Sequence, residues 1–347
     1  MQRLAERLRQ RIAREGPISF ADFMETALYD PADGYYARGA RIGEAGDFVT
    51  SPSISPAFAG ALARQFRLAT ETFPGRVEFV EAGAGDGRFL HDFSQALARE
   101  APSFAERVDL VAVERSQAAR EALERRRLPR LSKVCGSVEE LPERSVRGWI
   151  FSNELFDALP VARLEGSTEG PRELRVGLDG RRFVWVRTTA PPDLAAQLEA
   201  SGISLEPGQI GELAAGAVPL YCRLARALER GALVTFDYGH RASVLYHPLA
   251  RRAGTLAVHS AGRRGGDPLE RPGRVDLTAH VDWTALTRAG EQEGLETRGV
   301  FRQGDYLSRA GLLDFVSTDA EKWRAYRLVD PEAMGEELSV LIQTRGI

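Results

Sequence analysis

The sequence predicts an α/β fold built on a mostly parallel sheet covered by helices on both faces. Residues 77–83 (VEFVEAG), 108–114 (VDLVAVE) and the later GALVTFDYG are continuous apolar runs, the pattern of strands buried on both sides. Between the first of them lie the amphipathic stretches AGAGDGRFLHDFSQALARE and SQAAREALERRR, and such alternation marks parallel strands joined by helical crossovers. KVCGS and VRGWIFSNE extend the pattern by two more strands.

The flanking segments read differently. Residues 1–75 are helix and loop. MQRLAERLRQRIAREG sets Leu4, Leu8 and Ile12 on one helical face, Gly16-Pro17 ends that helix, and Ser19 is placed to cap FADFMETAL. YDPADGYYARGARIGEAGDFVTSPSIS, rich in glycine, proline and small polar residues, reads as a long loop of the functional kind. ELRVGLDGRRFVWVRT is a hairpin around Asp179-Gly180. Helices follow at 192–200 and 218–230, then helix 283–294, strand 296–302 and further helices to the end. The expected division is an N-terminal helical segment with a cofactor-covering loop over 1–75, and a core over 76–347 with a helical insertion around 190–230.

Composition excludes several classes. A chain of 347 residues, 43% of them hydrophobic, fills one large domain or a domain with a smaller lobe. The net charge of −3 is not the basic footprint of a nucleic-acid binder, and Lys133 and Lys322 are the only lysines. Cys135 and Cys222 form no CxxC pair, and His91, His240, His247, His259 and His280 lack paired-ligand spacing, so no metal site is expected. No apolar run reaches the roughly 18 residues that a membrane span needs. The first helix carries Glu6 and Glu15, acids that transit peptides avoid, so a cytoplasmic location is expected.

The strongest local signal is Glu81-Ala82-Gly83-Ala84-Gly85-Asp86-Gly87, set between a strand and a helix. Glycines there allow a tight turn and close approach of a ligand to the backbone. The dinucleotide fingerprint is GxGxxG. Here the third glycine comes one residue early and an acid precedes the first by two. This ExGxGxG is the arrangement of class I methyltransferases, in which the loop packs on the methionyl part of S-adenosylmethionine (SAM) and the acid helps hold its ammonium group. Glu114, ending the strand VDLVAVE, is placed to accept hydrogen bonds from both ribose hydroxyls. Ser137 and Val138, after the third strand, stand on the adenine side, with Ser137 in place of the common acid. The glycine spacing disfavours an NAD-dependent oxidoreductase.

Longer segments then carry a resemblance. GPISFADFMETALYDPADGYY (16–36), IGEAGDFVTSPSIS (42–55), EAGAGDGRFL (81–90), SNELFDALPV (152–161), TFDYGH (235–240), RPGRVDLTAHVDW (271–283) and PEAMGEELSVL (331–341) run in order over almost the whole chain. In them the sequence resembles the MidA family, relatives of mitochondrial complex I assembly factor 7, a SAM-dependent protein arginine methyltransferase. It departs from the family in its glycine loop, often ELGPGRG there, and in a shorter middle region. The resemblance implies a class I (Rossmann-like) methyltransferase with a seven-stranded, mostly parallel central sheet and an added helical lobe. It also implies SAM as cofactor, S-adenosylhomocysteine as product, and a protein or peptide substrate, with a homodimer as one candidate assembly.

An arginine-modifying site needs carboxylates, because the guanidinium is charged at ordinary pH and is held best by a bidentate acid. SNELFDALP places Asn153, Glu154 and Asp157 after the fourth strand, at the sheet edge where such folds bind ligands. These are the candidate catalytic residues, and Asn153 also faces the cofactor. Gly46, Asp47, Thr50 and Ser51 of GDFVTS are expected over the cofactor, beside Glu81, Gly83, Gly85, Gly87 and Glu114. Asp237, Tyr238 and His280 are candidate acceptor-binding residues, with Asp282 a weaker one. The alternatives are methyl transfer to a carboxylate, hydroxyl or nitrogen of a peptide or small molecule, and a non-catalytic SAM-binding assembly factor.

Overall fold

A computed structural model describes residues 3–37, 49–260 and 263–347. The chain divides into two compact units, one formed by Met1–Ala40, Phe156–Pro219 and Gly239–Ala285, the other by Arg41–Leu155, Leu220–Tyr238 and Leu286–Ile347. Both units are discontinuous in sequence, so neither follows the division at residue 75.

The second unit holds the central sheet. Its strands, in chain order, are β1 (Val77–Ala82), β2 (Val108–Val113), β3 (Leu131–Cys135), β4 (Val146–Asn153), β5 (Leu228–His240), β6 (Glu296–Arg302) and β7 (Leu338–Arg345). They lie side by side in the order β3-β2-β1-β4-β5-β7-β6. β3, β2, β1, β4 and β5 pair in parallel, and β7 runs antiparallel to both β5 and β6, so it alone opposes the rest. The mostly parallel α/β sheet is the one that the apolar runs predicted.

Buried aromatics cover one face of this sheet. Helix α1 (Ala57–Thr70) brings Phe58 and Phe66, and α2 (Arg88–Glu100) brings Phe89 and Phe93. Phe79 of β1 lies under them, its ring centroid 4.0 Å from that of Phe93 and 5.4 Å from that of Phe66. Phe151 of β4 stacks on Phe89 at 4.5 Å. Side chains alternate along a strand, so the face that carries Phe79 also carries Glu81 at the C-terminal end of β1. The face that carries Trp149 and Phe151 likewise carries Asn153 at the end of β4. Helix α3 (Gln117–Arg125) follows β2 and is capped by the Ser116 hydroxyl.

Two sequence expectations change here. The C-terminus was read as helix, but Leu338–Arg345 is a strand inserted between β5 and β6. It is buried along nearly all its length, so it shows no period-two alternation to separate it from a buried helix. The added lobe was expected to be helical. The first unit does contain helices Arg3–Glu15, Phe20–Tyr29 and Pro192–Ala200. It also contains an antiparallel sheet of Ala162–Glu165, Arg172–Asp179, Arg182–Thr189 and Ile210–Leu213, and a second of Ala257–Ser260, Arg263–Arg264 and Asp276–Thr278. Only the 172–189 hairpin was legible, because the other strands are two to four residues long. Among the described residues no helix is long and apolar enough to cross a membrane.

Phe79 is fully buried and meets aromatics from both covering helices. Phe79→Ala is therefore expected to cost about 3–5 kcal/mol, read as a lower midpoint in urea with the slope little changed.

Candidate active site

A parallel sheet delivers the C-terminal ends of its strands to one edge, and the polar residues of the second unit collect there. At the end of β1 the chain turns through Gly83 (φ 80°), Gly85 (φ 53°) and Gly87 (φ 76°), all left-handed. The turn is tied to β2 because Val113 O accepts the N–H groups of Gly83 (2.8 Å) and Ala84 (3.1 Å). A Cβ on Gly87 would come within 2.9 Å of Leu123, so the turn also packs tightly on α3. At Gly85 an added Cβ would meet nothing within 4 Å. The loop is therefore closed towards α3 and open at Gly85, where a ligand can approach the backbone.

Glu114 follows β2 and braces this loop. Its carboxylate accepts the N–H of Gly85 at 2.8 Å through one oxygen and that of Ser116 at 2.7 Å through the other. An ionised carboxylate has about four lone-pair sites, so two ribose hydroxyls can still be accepted. Ser137 caps the short turn Val138–Glu140, accepting the N–H of Glu139 at 3.3 Å and bonding the Glu139 carboxylate.

Two buried acceptors define the interior of the site. Glu81 is 4% exposed, and its Oε2 has no hydrogen-bond partner among the described residues. Asn153 Oδ1 is likewise buried without a donor among them. Such atoms are costly unless something else satisfies them. Burial pushes the Glu81 carboxyl well above the usual carboxylate range, with the nearby charges of Glu114 and Asp86 adding to the effect.

Beyond β4, Glu154 takes a left-handed conformation (φ 49°), uncommon for a residue with a side chain. Its N–H donates to Phe236 O at 2.9 Å. Its Oε1 accepts from Asn153 Nδ2 at 2.9 Å and from the Ser51 N–H at 3.3 Å. The next residue, Leu155, places Cδ1 3.1 Å from where a Cβ on Gly83 would stand, so the β4 turn abuts the glycine loop. Asp237, expected to touch the acceptor, is fully buried. Its Oδ2 accepts the Leu155 N–H at 3.1 Å and its Oδ1 accepts the Tyr238 N–H at 2.8 Å, so it joins the ends of β4 and β5. Tyr238 is partly buried beside it.

Of the segment expected over the cofactor, Gly46 and Asp47 lie outside the described residues. Thr50 donates its N–H to Ser53 Oγ at 3.0 Å. The Ser51 hydroxyl donates to Gln303 Oε1 at 2.8 Å, so it is engaged within the protein. Gln303, from helix α4 (Gln303–Arg309), is a buried member of this group that the sequence did not suggest, since no motif links it to residues some 250 positions away.

Asp157 and His280 fall in the first unit. There Asp157 is buried, and the pKa of Tyr36 is raised first by burial, then by Asp276, Tyr29 and Asp157. The Tyr36 hydroxyl donates to Asp276 at 3.0 Å, and its ring stacks on Tyr29 at 5.4 Å. Sequence reading missed the Tyr36–Asp276 pair, although both residues lie in the family segments DGYY and RPGRVDLTAH. His280 stands 5.3 Å from the His240 ring, and its pKa is pushed down to about 3 by burial, then by His240, Arg251 and Arg264. It is thus a neutral imidazole at ordinary pH. Asp282 accepts the N–H groups of Thr284 (2.8 Å) and Ala285 (3.2 Å), as a helix cap does.

Residues 59–301 match a family model described as S-adenosyl-L-methionine-dependent methyltransferase. The chain belongs to this family. It is 29% identical to the mitochondrial protein arginine methyltransferase NDUFAF7 of Danio rerio, over 96% of this chain and 85% of that protein. To the Homo sapiens protein of the same name it is 27% identical, over 96% and 81%. A superfamily member from Burkholderia thailandensis, described as a methyl transferase and solved bound to S-adenosyl-homocysteine, superposes with a TM-score of 0.88. That match has 32% identity and covers 99% of this chain and 92% of that one. The cytoplasmic location expected from the sequence does not stand, because the curated relatives, including that of Drosophila melanogaster, are named mitochondrial.

SAM is the cofactor of this methyltransferase, and the residues suit it. An ammonium group brings three donors to a place where Glu81 Oε2 and Asn153 Oδ1 lack them. The open space at Gly85 would admit a methionyl chain, and Glu114 keeps lone pairs that ribose hydroxyls could use.

Glu81 links stability to pH. Above about pH 4.3 the unfolded chain gives up this proton while the folded chain keeps it, so stability falls as pH rises towards the elevated folded pKa. In cofactor-free protein the Tm of wild type should therefore drop relative to Glu81→Gln as the pH rises above about 4.3. A parallel course of the two melting curves would show that Glu81 ionises normally.

Proposed function

We propose that this methyltransferase modifies arginine in a protein substrate and that Glu154 receives the guanidinium. The observation that carries the reading is the carboxylate of Glu154, on the turn that abuts the glycine loop through Leu155, in a left-handed backbone conformation that the chain would not adopt by preference. The names of the curated relatives support arginine as the acceptor.

The bound cofactor supplies an electrophilic methyl group on a sulfonium. The tasks left to the protein are to orient the attacking nitrogen, exclude water and accept one proton. Glu154 suits the first and last. A carboxylate pairs with a guanidinium through parallel N–H···O bonds, which sets the plane and direction of the attacking nitrogen. Methylation of the charged guanidinium releases one proton from the attacking nitrogen, and the Glu154 carboxylate would be the nearby base that takes it. Asn153 donates its amide N–H to Glu154 and offers its carbonyl to the ammonium, so it serves both partners. Asp157, buried in the first unit where its charge acts on Tyr36, remains a proposed catalytic acid. Tyr238 and the neutral His280 remain proposed acceptor contacts. Thr50, Ser137 and Val138 remain proposed cofactor contacts, as do Gly46 and Asp47.

The test combines calorimetry with labelling. Purified protein should bind S-adenosylhomocysteine and transfer tritiated methyl groups from SAM to proteins of a cell extract, with the label recovered as methylarginine after acid hydrolysis. Base-labile label would instead identify a carboxylate acceptor. Glu154→Gln should lower transfer by about a hundredfold and leave S-adenosylhomocysteine affinity within about threefold. Equal transfer by variant and wild type would remove Glu154 from the mechanism.

A further inference from the structure

Resting on the role of Glu154 given above, we infer that Ser51 and Gln303 are positioning residues that aim its carboxylate. The two are far apart in sequence and meet inside one unit. Gln303 is fully buried and its amide is used at both ends. Nε2 donates to Leu328 O at 3.1 Å and to Met334 O at 3.4 Å, while Oε1 accepts the Ser51 hydroxyl at 2.8 Å. The donor bonds fix which way the amide faces, so the acceptor end points at Ser51.

Ser51 is fully buried as well. Its hydroxyl is held by Gln303 and its backbone N–H faces Glu154 Oε1 at 3.3 Å. The residue before it is fixed independently, since Ser53 Oγ accepts the Thr50 N–H at 3.0 Å and donates to Thr50 O at 2.7 Å. The segment thus has little freedom to turn its N–H away. On the other side Asn153 Nδ2 reaches the same Oε1 at 2.9 Å. Glu154 itself stands between two backbone anchors, its own N–H on Phe236 O and the Leu155 N–H on Asp237. The anchors set the backbone, and Ser51 and Asn153 set the side chain.

A carboxylate on a flexible side chain samples many rotamers, and a fixed oxygen selects those that present the acid in one direction. Misplacement by about an ångström can cost up to a hundredfold in rate. Gln303 sits on α4 and touches neither cofactor nor acceptor in this scheme, so its effect passes through Ser51.

The test is Ser51→Ala, which removes the hydroxyl and keeps the N–H, with Gln303→Met cutting the same link from the other end. Each should lower kcat about tenfold with KM and S-adenosylhomocysteine affinity within about twofold. The decisive measurement repeats Ser51→Ala in the Glu154→Gln background, where it should cause no further loss. An undiminished loss in that background would overturn the inference, since Ser51 would then act independently of Glu154. A crystal structure of the Ser51→Ala protein supplies an arm that needs no acceptor. The Glu154 carboxylate should leave its position near residue 51, and an unmoved carboxylate would overturn the inference. If Glu154→Gln alone transfers methyl groups normally, the role of Glu154 fails, and the crystal structure still decides whether Ser51 positions it.

Discussion

The parallel pairing of β1 between β2 and β4 is the constraint on which the site depends. Because β1, β2 and β4 run the same way, their final residues reach one edge, and Glu81, Glu114 and Asn153 arrive there without any long loop to carry them. The aromatic layer of Phe66, Phe79, Phe89, Phe93 and Phe151 holds that register from below. One consequence is chemical. The face that carries the phenylalanines also carries Glu81, so this acid lies at the margin of an apolar layer, where burial raises its pKa.

The core of this arrangement was legible because it is local. ExGxGxG is a strand, a turn and a helix start in seven residues, and each glycine takes the left-handed angle its position demands. The position of Glu114 was readable for the same reason, as the residue that ends an apolar run, and its ribose role remains a proposal. Its structural bond was not readable. It clamps the Gly85 N–H, and no spacing rule states that an acid at a strand end should also fasten the neighbouring loop.

What escaped the sequence was long-range or fully buried. β7 lost its alternation because both its faces are covered, and so read as helix. The sequence offers Asp237 as an acceptor-binding acid at a strand end, and only the fold shows that both its oxygens accept backbone amides and join two strand ends. Gln303 carries no chemistry of its own, and only the fold brings it to Ser51. Tyr36 and Asp276 lie within recognised segments, but their pairing across 240 residues is a tertiary fact.

The left-handed angle at Glu154 has a further implication for how this enzyme can change. Glycine and asparagine occupy such angles with less strain than glutamate does. Replacing Glu154 with either would relax the turn after β4 while deleting the carboxylate proposed to receive the guanidinium, so thermal robustness and the proposed role pull residue 154 in opposite directions. Screens that select only for a higher melting temperature would be drawn towards this position. A stabilised variant from such a screen should accordingly be sequenced at residue 154 before it is used as an enzyme.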